Sequence, residues 1–273
     1  MKRLPLLLIV GLMVWCPVTS VSGGQLLYLA SQRDKAIIAY EVARDTGELR
    51  RRFQCDLEAT PGAMAFSPDK SFVYVLQSGL ENGGAGVATL GRSADGALTL
   101  KGTAIIKGGA PYIRCSNDGR CLLAAHYGSG LVTAYGITDG MCTGQLLDQK
   151  MTAKTAHCVE LDPSGQFVFV PHTSPNRVYQ FQLDSELGEL TPNDPPFVGG
   201  PDEDHLYHQP RHYAHHPKLE MAYTSNERGG GISAWSFNPT NGRLELVQTL
   251  SSLPLNFNGQ SAAADIHITP DGR

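Results

Sequence analysis

Two turn signatures alternate along this chain, and their spacing constrains the fold more than any other feature of the sequence. The first is an apolar residue, a Ser/Asp/Thr-Pro-type turn and an alternating apolar run: AFSPDKSFVYV from Ala65, RCSNDGRCLLA from Arg114, ELDPSGQFVFV from Glu160, AHHPKLEMAYT from Ala214 and HITPDGR from His267. Its turn positions Pro68, Asn117, Pro163, Pro217 and Pro270 lie 49, 46, 54 and 53 residues apart. Between them falls a Gly-x-Leu turn, at Gly47-Leu49, Gly96-Leu98, Gly144-Leu146, Gly188-Leu190 and Gly242-Leu244. Each turn joins two runs of period-two alternation, the pattern of a hairpin. Two hairpin turns per period describe a four-stranded antiparallel unit, and such units recurring every roughly 40 to 50 residues pack face to face as the blades of a β-propeller. Strands of a β-helix or a sandwich would not recur in fours at this spacing.

The sequence thus predicts an all-β fold. In the unit from Pro61 to Ile106, GAMAF is the inner strand, FVYVLQ the second, GVATLGR the third and ALTLKGTAI the outer one. Four complete blades are expected near 61–107, 110–152, 156–198 and 210–252, with two partial ones. LLYLASQ from Leu26 aligns with second strands, so the first blade begins without an inner strand. The sequence stops at Arg273, inside a turn that should open another second strand. The expectation is a C-terminally truncated ring whose unpaired edges favour aggregation.

Gly 30 and Pro 17 make up roughly 17% of the chain against an average near 12%, a turn-rich composition that excludes coiled coil. Lys2-Arg3, the apolar stretch Leu4–Val18 and the small residues Ser20, Ser22 and Gly23 read as a secretion leader over 1–23, leaving 24–273 as the propeller domain. The apolar stretch is short of the ~20 residues that span a bilayer, so the expected product is periplasmic or secreted with no membrane partner. The 22 Lys and Arg, less Lys2 and Arg3, leave 20 basic against 26 acidic residues and a charge of −6, which argues against a nucleic-acid partner. Beyond Cys16, five cysteines remain: Cys55, Cys115, Cys121, Cys142 and Cys158. Cys115 and Cys121 flank one hairpin turn and are read either as a disulfide or as a buried thiol pair.

Polar residues on inner strands are the ones a propeller must explain, because ligands bind where those strands converge. Six positions before the turn stand Gly62, Pro111, His157, Arg211 and Ala264. Nine and ten positions after it stand Gln77-Ser78, His126-Tyr127, His172-Thr173 and Asn226-Glu227. The last partial inner strand adds Asp265 and His267, and His212 follows Arg211. This set fits a site acting on an acidic small molecule, with Arg211 holding a carboxylate, phosphate or oxyanion and His157 or Glu227 as general base. The alternative is that these groups satisfy backbone polar atoms around a channel.

The stretch DEDHLYHQPRHYAHHP carries His205, His208, His212, His215 and His216, but alternation along a strand points His212 and His215 to opposite faces. No HExxH, GxSxG or GxxxxGK[ST] motif occurs. No metal or other cofactor is therefore expected.

SPDKSFVYV, DPSGQFVFVP, QPRHYAHHP followed by AYTSNE, WSFNPTNGRLELVQTL and AADIHITPDGR together resemble the seven-bladed propeller lactonases, which include bacterial 6-phosphogluconolactonases and fungal carboxymuconate cyclases. The likeness runs from Leu26 to Arg273. It implies a seven-bladed ring and hydrolysis of a sugar lactone to its acid without a required metal. It also implies that His157, Arg211 and Glu227 are catalytic; the other polar residues at the repeat positions, His126, His172, His212, Asn226, Asp265 and His267, are the expected substrate-binding set. A muconate-type cycloisomerase or a non-catalytic binding propeller are the alternative functions, and a further family arginine would follow Arg273.

Overall fold

The computed structural model describes residues 25–200 and 208–272. The expected leader over 1–23 and His205 lie outside the described residues. Five antiparallel sheets follow one another in chain order, each a meander of sequence neighbours. The first is three-stranded: β1 (Gln25–Ser31), β2 (Ala36–Val42) and β3 (Leu49–Asp56). The second holds β4 (Thr60–Phe66), β5 (Phe72–Ser78), β6 (Ala85–Arg92) and β7 (Leu98–Ile106). The third holds β8 (Tyr112–Cys115), β9 (Cys121–Ala125), β10 (Leu131–Thr138) and β11 (Met141–Met151). The fourth is β12 (Glu160–Leu161), β13 (Phe167–His172), β14 (Arg177–Asp184) and β15 (Glu189–Gly199). The fifth is β16 (Pro210–His215), β17 (Met221–Asn226), β18 (Gly231–Asn238) and β19 (Arg243–Ser251). These bounds match the four complete blades read from the repeat, and among the described residues the first sheet lacks an inner strand.

The turn residues account for the repeat. In the first signature the Ser or Asp ahead of the turn folds its side chain back onto the returning strand. Phe72 N–H donates to Ser67 Oγ (2.9 Å), Cys121 N–H to Ser116 Oγ (3.0 Å) and Phe167 N–H to Asp162 Oδ1 (2.8 Å). The backbone closes the same hairpins, Ser67 N–H to Phe72 O at 3.0 Å and Asp162 N–H to Phe167 O at 3.0 Å. In the second signature, Gly47, Gly96, Gly144, Gly188 and Gly242 all adopt φ between 68° and 87°, the left-handed region open to a residue without Cβ. At Gly242 a side chain would also strike the Phe167 ring of the preceding blade, at 2.1 Å.

Side chains alternate across each sheet, so every blade presents apolar residues to both neighbours, and four buried clusters fill the four successive interfaces. Ile37, Cys55 and Leu57 meet Val73, Val75, Ala88 and Leu90 between the first and second sheets. Tyr74, Leu76 and Val87 meet Ile113, Leu122 and Tyr135 at the next interface. Cys121, Leu123 and Val132 meet Val168, Val170 and Leu190 at the third. Phe167, Phe169 and Val178 meet Tyr213, Trp235, Phe237 and Leu244 at the fourth, where the Trp235 indole N–H donates to Thr224 Oγ1 at 3.0 Å. Among the described residues no strand pairing or apolar cluster joins the fifth sheet to the first. Leu27 and Leu29 on the first sheet, and the cross-strand pair Ile232 and Leu250 on the fifth, are exposed.

The structure departs from the sequence reading in two matters of pairing. Asp265 and His267 were expected on an inner strand, yet 252–272 contains no strand, because no partner strand beside it supplies the ladder hydrogen bonds. All five cysteines are free and buried, and Cys115 and Cys121 face opposite sides of their sheet, so they form neither a disulfide nor a thiol pair. The only helical element among the described residues is a 3-10 turn over Glu81–Gly83, so no helix is long enough to cross a membrane.

Candidate functional site

The inner strands β8, β12 and β16 converge on the axis of the stack, and a recurring backbone device delivers their first residues there. Eight positions before the first turn, Gly109, Thr155 and Gln209 have φ of 78°, 68° and 57°. Their carbonyls accept N–H bonds from Tyr127 (3.0 Å), Thr173 (3.3 Å) and Glu227 (2.9 Å), which fastens the end of the second strand to the start of the inner one. The ladder between β16 and β17 then shifts register between Pro210 and Tyr213. Such a bulge leaves residues outside the alternation and re-aims their side chains. Arg211 and His212 occupy it, and both face the axis cluster.

Arg211 Nε lies 3.1 Å from Glu227 Oε2, a largely buried ion pair that joins the two neighbouring strand ends. The His212 Nδ1–H donates to Asp265 Oδ1 at 2.7 Å, and the His267 Nε2–H donates to Asp265 Oδ2 at 2.8 Å. Ser225 fixes this junction: its Oγ accepts the His212 N–H (3.2 Å) and donates to the Ala264 carbonyl (2.6 Å). His157 completes the group, its ring 5.1 Å from that of His212 and edge-on to Tyr127 at 5.7 Å. The His157 Nδ1 is buried with no hydrogen-bond partner. Burial, then the positive charge of Arg211, lowers the His157 imidazole to about 4, so it is neutral and able to accept a proton at neutral pH. Burial also lowers His212, against the pull of Asp265. At Asp265 burial opposes ionisation, but the two imidazole contacts outweigh it and the carboxyl lies below its ordinary value.

The structure therefore gathers His157, Arg211, His212, Glu227, Asp265 and His267. It places His126, His172 and Asn226 elsewhere, buried inside their own blades with local partners. His126 Nδ1 lies 3.0 Å from Gly108 O and Nε2 2.9 Å from Thr133 Oγ1. His172 Nδ1 lies 2.9 Å from Val170 O and Nε2 2.8 Å from Thr152 Oγ1. Asn226 Nδ2 donates to Ser233 Oγ at 2.9 Å. These three tie the end of each second strand to its surroundings. Among the described residues no three His, Cys, Asp or Glu side chains gather as metal ligands would.

Below this cluster lies a second polar tier that the sequence reading missed. Tyr112 sets its ring edge against His212 at 5.3 Å and donates its hydroxyl to Glu160 Oε1 at 2.7 Å. Arg114 Nε stands 3.1 Å from Glu160 Oε2 without an aligned hydrogen bond. Burial raises the Glu160 carboxyl, with Arg114 and Tyr112 acting against that rise. Tyr112, Arg114, Glu160 and His267 line a cavity of about 420 Å³. The signal was present in the alignment, since Arg114, Glu160 and His267 each stand three positions before the turn.

Five meandering sheets stacked about an axis, with an arginine-histidine-carboxylate cluster where the inner strands begin, define a β-propeller with a polar axial site. Residues 26–273 match the family described as Lactonase, 7-bladed beta-propeller, and the chain belongs to that family. It is 31% identical over 249 residues to a 6-phosphogluconolactonase of Klebsiella pneumoniae (strain 342), covering 91% of this chain and 72% of the relative. It is 32% identical over 251 residues to the 6-phosphogluconolactonase of Serratia proteamaculans (strain 568), with the same coverage. In three dimensions it matches the periplasmic gluconolactonase of Pseudomonas aeruginosa at a TM-score of 0.76 and 23% identity, over 91% of this chain and 73% of the other.

Proposed function

We propose that this protein hydrolyses a sugar lactone to its open acid, in the manner of the 6-phosphogluconolactonases, at the axial cluster of His157, Arg211 and Glu227. The observation that carries the reading is the pairing of a guanidinium fixed by Glu227 with a neutral imidazole whose Nδ1 has no hydrogen-bond partner. Arg211, oriented by Glu227, receives the lactone carbonyl oxygen and stabilises the negative charge that develops there. His157 takes a proton from water as its oxygen bonds to the carbonyl carbon. The bond from that carbon to the ring oxygen then breaks, and the imidazolium returns its proton to the departing alkoxide. Burial and Arg211 hold His157 weakly basic; an oxyanion forming on Arg211 offsets that charge and raises its basicity as the transition state is approached.

His212, Asp265 and His267 surround the substrate in this reading, while His126, His172 and Asn226 act on it through the strand ends they secure. We further propose that the five sheets are a sector of a seven-bladed ring. The exposed Leu27, Leu29, Ile232 and Leu250 on its two outer faces support this, as does the family description. The leader-like 1–23 supports export to the periplasm.

The test is pH-stat hydrolysis of 6-phosphogluconolactone and gluconolactone, corrected for spontaneous opening, by the protein and its Arg211→Ala variant. Acceleration over the uncatalysed rate is expected from the wild type, with a loss of about a hundredfold or more in kcat for the variant at unchanged fold. No acceleration by the folded wild-type protein would leave a binding propeller as the better reading.

A further inference from the structure

We propose that Tyr112, Arg114 and Glu160 form a hydroxyl-reading subsite beneath the reacting cluster, and that this subsite favours unphosphorylated polyol lactones over their phosphate esters. The inference rests on the lactonase reading and concerns which lactone the site selects.

The placement follows from strand geometry. Tyr112 and His212 stand five positions before their turns, whereas Arg114 and Glu160 stand three before theirs. Residues two apart on a strand share a face, so Tyr112 and Arg114 lie on the same side of β8, the side that meets Glu160 of the fourth sheet. At the rise of a β-strand the step down to Arg114 and Glu160 is roughly 7 Å from the Tyr112–His212 level and roughly 10 Å from the level of Arg211 and His157. Both are of the same order as the distance from a lactone carbonyl to the far hydroxyl of a six-carbon sugar. Tyr112 connects the tiers directly, its ring against His212 and its hydroxyl on Glu160. In this proposal a lactone held by Arg211 directs its hydroxyl-bearing end past the Tyr112 ring toward the 420 Å³ cavity, which His267 of the upper cluster also lines.

The chemistry of that cavity decides what the end should carry. Arg114 and Glu160 lie 3.1 Å apart, so their charges nearly cancel. The pair offers guanidinium donors beside a carboxylate acceptor. A hydroxyl both donates and accepts, and can satisfy both partners at once. A phosphate dianion only accepts: it gains from Arg114 but is repelled by Glu160 at close range. Sites that bind phosphate through arginine leave the guanidinium fork open to it; here Glu160 already occupies one flank. Two histidines also line this wall: His267 is drawn toward Asp265 at 2.8 Å, and burial lowers His215 to about 4, so neither adds a free positive charge.

The experiment compares kcat/KM for gluconolactone and 6-phosphogluconolactone in the wild type and in Glu160→Gln, which keeps size and shape while unmasking Arg114. The wild type should prefer gluconolactone. The variant should lose about tenfold on gluconolactone and shift the preference ratio about tenfold or more toward the phosphate ester. An unchanged ratio with both lactones still opened would overturn the subsite and leave the lactonase reading intact. Failure of the wild type to open either lactone would overturn both. Inhibition of the wild-type enzyme gives a second readout that needs no variant to fold. Gluconate should compete more tightly than 6-phosphogluconate, and the reverse order would count against the proposal.

Discussion

At the scale of the residue, histidine burial sets how this protein responds to acid. His172 is fully buried and its imidazole is lowered to about 4, chiefly by burial; His157 and His215 are lowered to about 4 as well, also chiefly by burial. A group whose folded value lies below its unfolded one releases its proton on folding. Its stabilising contribution is therefore present above the unfolded value near 6.5 and is lost as pH falls toward 4. For His172 alone the full effect is on the order of 3 kcal/mol. Urea unfolding between pH 7.5 and 4 should show stability nearly level above pH 7 and falling steadily below 6.5. A flat profile to pH 4 would mean these imidazoles titrate normally. Sequence alignment found the positions of His126, His172 and Asn226 but not that each would be buried against partners in its own blade. Equivalent positions in a repeat share a height, but their direction depends on rotamer and on neighbours such as Thr133, Thr152 and Ser233, which no spacing reveals.

At the scale of the element, two inner strands, those led by Thr155 and Gln209, begin with backbone strain beside the reacting residues. Gln209 takes φ 57° immediately before Pro210, a conformation costly for an L-residue and disfavoured ahead of proline. Relief of about 1–2 kcal/mol on replacing it with glycine outweighs the roughly 0.5–1 kcal/mol of added chain entropy. Gln209→Gly should raise the denaturation midpoint by up to about 1 kcal/mol in stability, and a drop would show that the side chain has a compensating role. Thr155 is different, because its Oγ1 accepts the Ser174 N–H at 2.8 Å and donates to the Ser174 carbonyl. Thr155→Gly loses those bonds and gains nothing net. The blade boundaries were legible because both turn signatures are local. The bulge at Arg211 and His212 was not, since a register shift depends on the partner strand. The same holds for the unpaired 262–268 segment, which carries the alternation of a strand but has no ladder to join.

At the scale of the whole molecule, each blade is held by its two neighbours, so the two outermost blades lack support on one side. Leu27 and Leu29 alternate with Tyr28 and Ala30, which pack inward, and present an apolar face that no described residue covers. Replacing Leu27 and Leu29 with lysine and glutamate should reduce self-association of this chain in sedimentation or size-exclusion measurements while leaving its circular dichroism unchanged. Undiminished association would place the sticky surface elsewhere. The same one-dimensional stacking gives the buried thiols a meaning of their own. Cys55 lies at the first interface, Cys115 and Cys142 at the second, Cys121 at the third and Cys158 at the fourth. Every seam between blades thus contains its own chemically addressable reporter, silent while shut. The order in which these five positions become alkylated under mild denaturant would trace, seam by seam, whether the stack peels from its ends or gives way all at once.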